Sequence, residues 1–284
     1  MDRPGQGPAG VAFLRTPNVT GQGTDINLED VYNRERDTLG TLIESDPIRF
    51  VHRFKAPLDR EVAGFLASQF AYGRVDGIVR FLDALFAATG PHPHAFVTQG
   101  DFSAIEPLYY RLHKGRDLVE LFGVLRRIYD EHGSIGRLLA AGFDNDVREA
   151  LWSARERLLG TNGSLDFFFP KRTPASPMKR WSLYLRWMVR KDAIDFGIWD
   201  FMDKRDLVVP LDTHIYAIGR CLGWTKRQTQ GWNAARDITA ALKAHCPEDP
   251  LKYDFLLCHR VGITGGCTGK RRPVCKEKCI VYAL

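Results

Sequence analysis

The chain has 284 residues, of which 44% are hydrophobic and 26% charged, with a formal net charge of +6. That is apolar mass enough for one large domain or two lobes, and the balance excludes a disordered or fibrous chain. No apolar run approaches bilayer-spanning length, the first 25 or so residues lack the basic start and apolar core of a secretion signal, and six cysteines without such a signal point to reduced thiols in the cytosol.

Residues 1–27, rich in Gly, Pro, Thr and Asn, read as a flexible leader. After Asp59, apolar residues recur at Val62, Phe65, Leu66 and Phe70, then at Val75, Ile78, Val79, Leu82, Leu85 and Phe86, the spacing of core-facing helices. Leu118, Leu121, Phe122, Leu125, Ile128 and Tyr129 predict another helix, closed by Gly133, with short helices following over Ser134–Ala141 and Asp146–Leu159. Ser176-Pro177 has the form of a cap with proline at the first helical position, ahead of a buried stripe at Trp181, Tyr184, Leu185 and Met188. Asp212 opens a segment with Ile215, Ile218 and Leu222 on one face. Thr225 and Gln228 have capping-box spacing ahead of a helix over Trp232–His245, and Asp249-Pro250 opens the last one. Period-two alternation is nearly absent, so the expected fold class is all-α.

Val208-Val209-Pro210-Leu211-Asp212-Thr213-His214 is the most informative string. An N-cap aspartate is held in one orientation at the rim of the loop before it, which suits a catalytic carboxylate and equally suits a plain cap. Seven basic residues and no acid occur from Lys171 to Lys191, and Lys270, Arg271, Arg272, Lys276 and Lys278 gather near the C-terminus. Such patches are the footprint of a polyanion, or else solvated helix faces. Phe167, Phe168, Phe169, Trp181, Trp187 and Trp199 offer stacking faces for a base, although at helical spacing most belong to a core. Cys221 and Cys246 read as structural.

Pro210-Leu211-Asp212-Thr213-His214 resembles the aspartate loop of the helix-hairpin-helix/Gly-Pro-Asp superfamily of base-excision DNA glycosylases. The similarity runs from about Asp59 to about Ile263 and is closest to a bacterial branch. The resemblance implies two helical lobes flanking a DNA-binding cleft, one made of residues 28–57 with 200–284 and the other of residues 58–199, in a monomer acting on DNA. It implies that Asp212 stabilises the cationic sugar carbon formed when an N-glycosidic bond breaks. In bifunctional members a lysine amine forms a Schiff base with that carbon, and Lys179 is the candidate here, followed by Arg180. Ser68-Gln69 resembles the string whose glutamine fills the gap left by a flipped base. Arg74, Lys171, Arg172 and Arg180 are expected phosphate or DNA contacts, with a solvated surface as the alternative. Cys258, Cys267, Cys275 and Cys279 stand where many relatives hold an iron–sulfur cluster, although the spacing differs from the familiar loop. With His259 near by, zinc is the other option. The chain departs from the pattern at Lys171–Pro177, which carries no glycine where relatives have a glycine-rich hairpin. A nucleic-acid-binding protein that keeps the lobes without the chemistry is the competing expectation.

Overall fold

The computed structural model describes residues 27–161 and 163–284, so the leader up to residue 26 lies outside the described residues. Among those residues there are thirteen α-helices, several 3₁₀ turns and one π-helix, with two isolated bridges and no β-strand. The chain is therefore all-α. No helix among them is long and apolar enough to cross a membrane.

Local chemistry sets most of the boundaries. The Asn27 side chain accepts from the Glu29 N–H at 3.1 Å and starts α1 (Leu28–Leu42). The short α2 (Arg49–His52) precedes α3 (Pro57–Gln69), which carries proline in its first turn. Then come α4 (Val75–Thr89), α5 (Pro93–Gln99) and α6 (Gly115–His132), the last closed by Gly133 at φ 75°. The side chains of Ser134 and Asp146 accept from the N–H groups of Arg137 and Arg148 at 3.0 and 2.8 Å, starting α7 (Ile135–Ala140) and α8 (Val147–Leu159). The second half holds α9 (Lys179–Val189), α10 (Thr213–Cys221), α11 (Trp232–His245) and α12 (Asp254–Leu256). The last runs directly into a π-helix over Leu257–Thr264, and α13 (Cys275–Lys278) follows.

Three expected starts differ, one of them Asp249-Pro250, which opens a 3₁₀ turn over Pro250–Tyr253 ahead of α12 and not the last helix. α9 begins at Lys179 because Met178 adopts a left-handed conformation (φ 49°), while the Ser176 hydroxyl accepts from the Met178 N–H at 3.3 Å and closes a turn instead of a helix. The helix over Trp232–His245 has Gly231 at its N-cap. Thr225 makes no capping box there, because its hydroxyl donates to Asp237 at 2.9 Å.

α3 packs against α2, α5 and α9, and α5 to α8 pack in succession. α1 packs on α12, while α10 packs on the π-helix and on α11. α2 packs on α3 and on the 3₁₀ turn that follows α1. Gly64 lets α3 approach α9: a Cβ there would stand 2.7 Å from the Met188 side chain and 3.1 Å from Tyr184. Glu61, buried on α3, accepts from the Tyr129 hydroxyl, the Trp199 indole and the N–H groups of Ile135 and Gly136 at 2.7–3.0 Å. One carboxylate so ties α3, α6, α7 and the Trp199 loop together. A second buried network joins α9 to the C-terminal segment: Arg186 contacts Asp195 at 3.1 Å and Asp254 at 2.5 Å, and Arg190 contacts Asp195 and, at 2.7 Å, Asp249. These ion pairs tie the C-terminal end of α9 to α12 and to the Asp249 turn before it, and Arg186 and Asp254 line a cleft that opens beside them.

Candidate active site

The cleft has a volume of about 610 Å³. Its walls come from the turn after α3 (Ala71–Gly73), the start of α9, the loop entering α10, and α12 with the π-helix. Val209, Pro210 and Leu211 are buried and deliver Asp212 at a fixed angle. One carboxylate oxygen of Asp212 accepts from the Ile215 N–H at 2.8 Å, the N-cap bond expected from the sequence. Its other oxygen accepts from the Cys258 thiol at 3.7 Å. Gly262 allows this closeness of π-helix and α10, since a Cβ there would stand 2.6 Å from the His214 side chain. π-helical segments are rare and recur at functional sites.

Lys179 enters the same cleft from the first position of α9, its Nζ donating to the Ala71 carbonyl at 3.2 Å. Lys179 and Asp212 both act on the Cys258 thiol, in opposite directions. Burial, with the carboxylates of Asp212, Asp254 and Asp46, pushes that thiol well above its ordinary pKa, against the pull of Lys179. Cys258 is thus a neutral donor to Asp212. On the adjoining wall, burial pushes the Asp254 carboxyl up to about 6 in spite of Arg186, with Asp212 adding to the effect. Asp46 is pushed up by burial but held below its ordinary value by its 3.0 Å bond to His259 and the charge of that ring.

Asp212 and Lys179 are therefore brought to one cavity; the expected DNA contacts divide. Arg74 is exposed between Gly73 and Val75, which line the cleft. Lys171 and Arg172 are exposed beside it and held by ion pairs to Asp166 (2.6 Å) and Glu149 (2.6 Å). Arg180 lines the cleft, but its guanidinium is engaged internally. It donates to the Gln69 carbonyl at 3.3 Å and to the Phe167 carbonyl, and lies 3.6 Å over the Phe167 ring; burial pushes its pKa down to about 10. Gln69 does not reach the cleft. Its side chain is fully buried at the end of α3 and neither amide atom has a partner among the described residues, so it is not placed to fill a gap in DNA. α9 packs along α3, and Arg180 bonds the Gln69 carbonyl at the end of that helix.

Of the six aromatics singled out, only Trp181 lines the cleft, and the other five are core or packed against it. Tyr72 and Phe255 supply the remaining aromatic faces, and burial pushes the Tyr72 hydroxyl up to about 12. No motif in the sequence singles out those two residues, Asp46 or Asp254. The i, i+4 pairs Asp254/Cys258 and Phe255/His259, lying on one helical stripe, are the signal that could have marked them.

The four cysteines proposed as ligands are split between two places. Cys258 belongs to the cleft, whereas Cys267, Cys275 and Cys279 line a separate cavity of about 80 Å³ in which Cys221 joins them. Burial and the neighbouring Cys267 push Cys221 up to about 11. The helical path from α12 carries Cys258 toward Asp212 and away from the tail. Among the described residues no three His, Cys, Asp or Glu side chains are arranged to hold a metal ion. The residues as placed do not fit a four-thiolate centre made with Cys258, and no chemical step is assigned to one.

Fold and site together define an all-α protein in which a helix-capping aspartate and a lysine share one cleft. The chain belongs to the family described as "Protein of unknown function (DUF2400)", whose profile matches residues 46–264. That span runs from Asp46 to the end of the π-helix and takes in every wall of the cleft except Ser45, while the tail cysteines lie beyond it. No curated protein and no solved structure matches the chain.

Proposed function

We propose that the protein is a DNA glycosylase that cleaves the N-glycosidic bond of a damaged base, an oxidised purine being the favoured class, and that Lys179 gives it abasic-site lyase activity. The observation that carries this reading is the meeting of Asp212 and Lys179 in one cleft, from positions 33 residues apart. In this reading the neutral amine of Lys179 forms a bond to the anomeric carbon as the bond to the base breaks, and the base leaves with the electron pair and takes up a proton. Asp212 stabilises the positive charge on the sugar during that exchange and accepts the proton released from the lysine nitrogen; ring opening then yields the imine. Its orientation is set by the Ile215 N–H and the Cys258 thiol.

Borohydride trapping tests the covalent step. On duplexes carrying an abasic site, 8-oxoguanine or uracil, the native protein is expected to give a trapped complex and Lys179→Gln none. Base release without trapping would remove Lys179 and leave a monofunctional enzyme. A second reading, binding without catalysis, is favoured by the bond from Lys179 to the Ala71 carbonyl, which gives that lysine a purely structural use. Neither trapping nor base release on any of these duplexes would support it.

The rim supplies a further prediction. Lys171 and Arg172 are more than half exposed, and their surface ion pairs are weak competitors for a phosphate. The double substitution Lys171→Ala/Arg172→Ala is expected to weaken binding to all duplex sequences and to lower the log–log salt slope by about 0.9 per lost contact. Fluorescence anisotropy titrations over a range of salt concentrations measure this, and an unchanged slope would remove both residues from the interface.

A further inference from the structure

Between Phe102–Ala104 and α6 the chain makes a tight turn. Tyr110 and His113 exchange backbone hydrogen bonds at 2.8 and 2.9 Å, pinching Arg111 and Leu112 into a two-residue tip. Arg111 sits at φ 54°, the left-handed region usually given to glycine at the first central position of such turns. Strain of this kind in a non-glycine residue gathers at sites of contact with ligands. The flanking side chains are the second observation. Tyr109 is 78% exposed and Leu112 77%, the highest values of any large hydrophobic among the described residues, with Ile263 next at 50%.

The tip adjoins the cleft. The Tyr110 hydroxyl donates to the Tyr72 carbonyl, and the Arg111 guanidinium lies 5.7 Å over the Tyr72 ring, which lines the cavity. Val75 and Ile263, also exposed, line the same cavity, while Tyr109 and Leu112 flank the two turn residues that contact Tyr72. Arg74, exposed between the lining residues Gly73 and Val75, and Arg111 over Tyr72 put positive charge beside that cavity. A base stack is an apolar interior wrapped in negative charge, and it is the partner that an exposed aromatic and an exposed leucine beside an arginine fit.

We propose that this turn is a wedge: Tyr109 and Leu112 enter a distorted DNA duplex beside the cleft, and Arg111 contacts the adjoining phosphate. The proposal rests on the DNA reading above and deepens it. It also gives the gap left by an extruded base an occupant, a role that the buried Gln69 is not placed to fill. Opening a duplex costs stacking energy, and inserted side chains offset part of it.

The test uses the full chain and Tyr109→Ala/Leu112→Ala, with duplexes carrying 2-aminopurine next to an abasic site and intact duplexes as the reference. Both side chains are exposed, so the variant is expected to keep its helical circular dichroism and melting temperature. The native protein is expected to brighten 2-aminopurine by unstacking it. The variant should lose most of that signal and bind the abasic duplex about tenfold more weakly, with the intact duplex changed by no more than about twofold because phosphate contacts dominate there. A variant that keeps both the signal and the affinity overturns the wedge and leaves the glycosylase reading standing. So does native protein that binds with a normal salt slope but produces no brightening. Native protein that binds no duplex overturns both. A concentration-dependent dimer abolished by the variant would assign the turn to self-association and overturn the wedge.

Discussion

Asp212→Asn is expected to lower base excision by about 10²–10⁴-fold while leaving duplex affinity nearly unchanged. The size follows from what the substitution removes. Asparagine keeps the shape of the side chain and is as good an N-cap as aspartate, so the bond to the Ile215 N–H survives and α10 stays in place. What disappears is the negative charge facing the sugar and the site that accepts a proton. The Cys258 thiol still finds an acceptor if the amide oxygen turns toward it. Single-turnover base release on a lesion-bearing duplex, with anisotropy binding in parallel, separates the two effects. An unchanged rate would reduce Asp212 to a cap, and lost binding with an unchanged turnover of bound substrate would make it a docking residue. Asp212→Ala removes the cap as well and is expected to cost about 1 kcal/mol of stability in addition.

The second large effect concerns the frame of the cleft. Arg186→Met keeps most of the stem volume but withdraws the guanidinium from Asp195 and Asp254, all three being buried. Asp195 retains Arg190, so Asp254 carries most of the loss. Breaking a buried pair from one side costs about 3–5 kcal/mol, which for a chain of this size lowers the melting temperature by on the order of 10 °C. The pH dependence has a definite sign. The folded-state pKa of Asp254 is already raised to about 6 from an ordinary 3.8 by burial, and loss of Arg186 raises it further. Between the ordinary value and the raised one the native state binds more protons than the unfolded chain, so stability falls as pH rises through that window. Melting curves at pH 5 and pH 8 should show the larger deficit at pH 8. Equal deficits would mean that packing, and not charge, is what Arg186 supplies. Because Asp254, Phe255, Cys258 and His259 hang from the same turn of chain, excision by the folded fraction of this variant should fall as well.

Elements whose causes are local were legible before any fold was known. The caps at Ser134, Asp146 and Asp212 bind backbone groups two or three residues away, and Gly133 closes its helix through its own backbone conformation. Ser176-Pro177 and Thr225-Gln228 carried the same kind of signal and yielded turns, because Met178 took a left-handed conformation and Asp237 captured the threonine hydroxyl. Local propensity ranks alternatives that tertiary partners can reorder.

The candidate site divides along the same line. Asp212 and Lys179 stand out by motif and by charge, and each is placed by a helix start that the sequence nearly specifies. That they share a cleft depends on contacts such as Lys179 to Ala71, 108 residues apart, and Cys258 to Asp212, 46 apart. Hydrophobic periodicity says which face of a helix is buried but not what covers it, which is why the sequence alone suggests a reaching side chain at Gln69 and a metal ligand at Cys258. The sequence by itself determined the all-α class, the helix faces, the capped aspartate and the basic character of the chain. Only the tertiary structure decided which charges meet, which thiols part company and which hydrophobics are left in water. Those depend on the packing of segments far apart in the chain, where small differences in buried area and ion pairing outweigh the preference of any single residue.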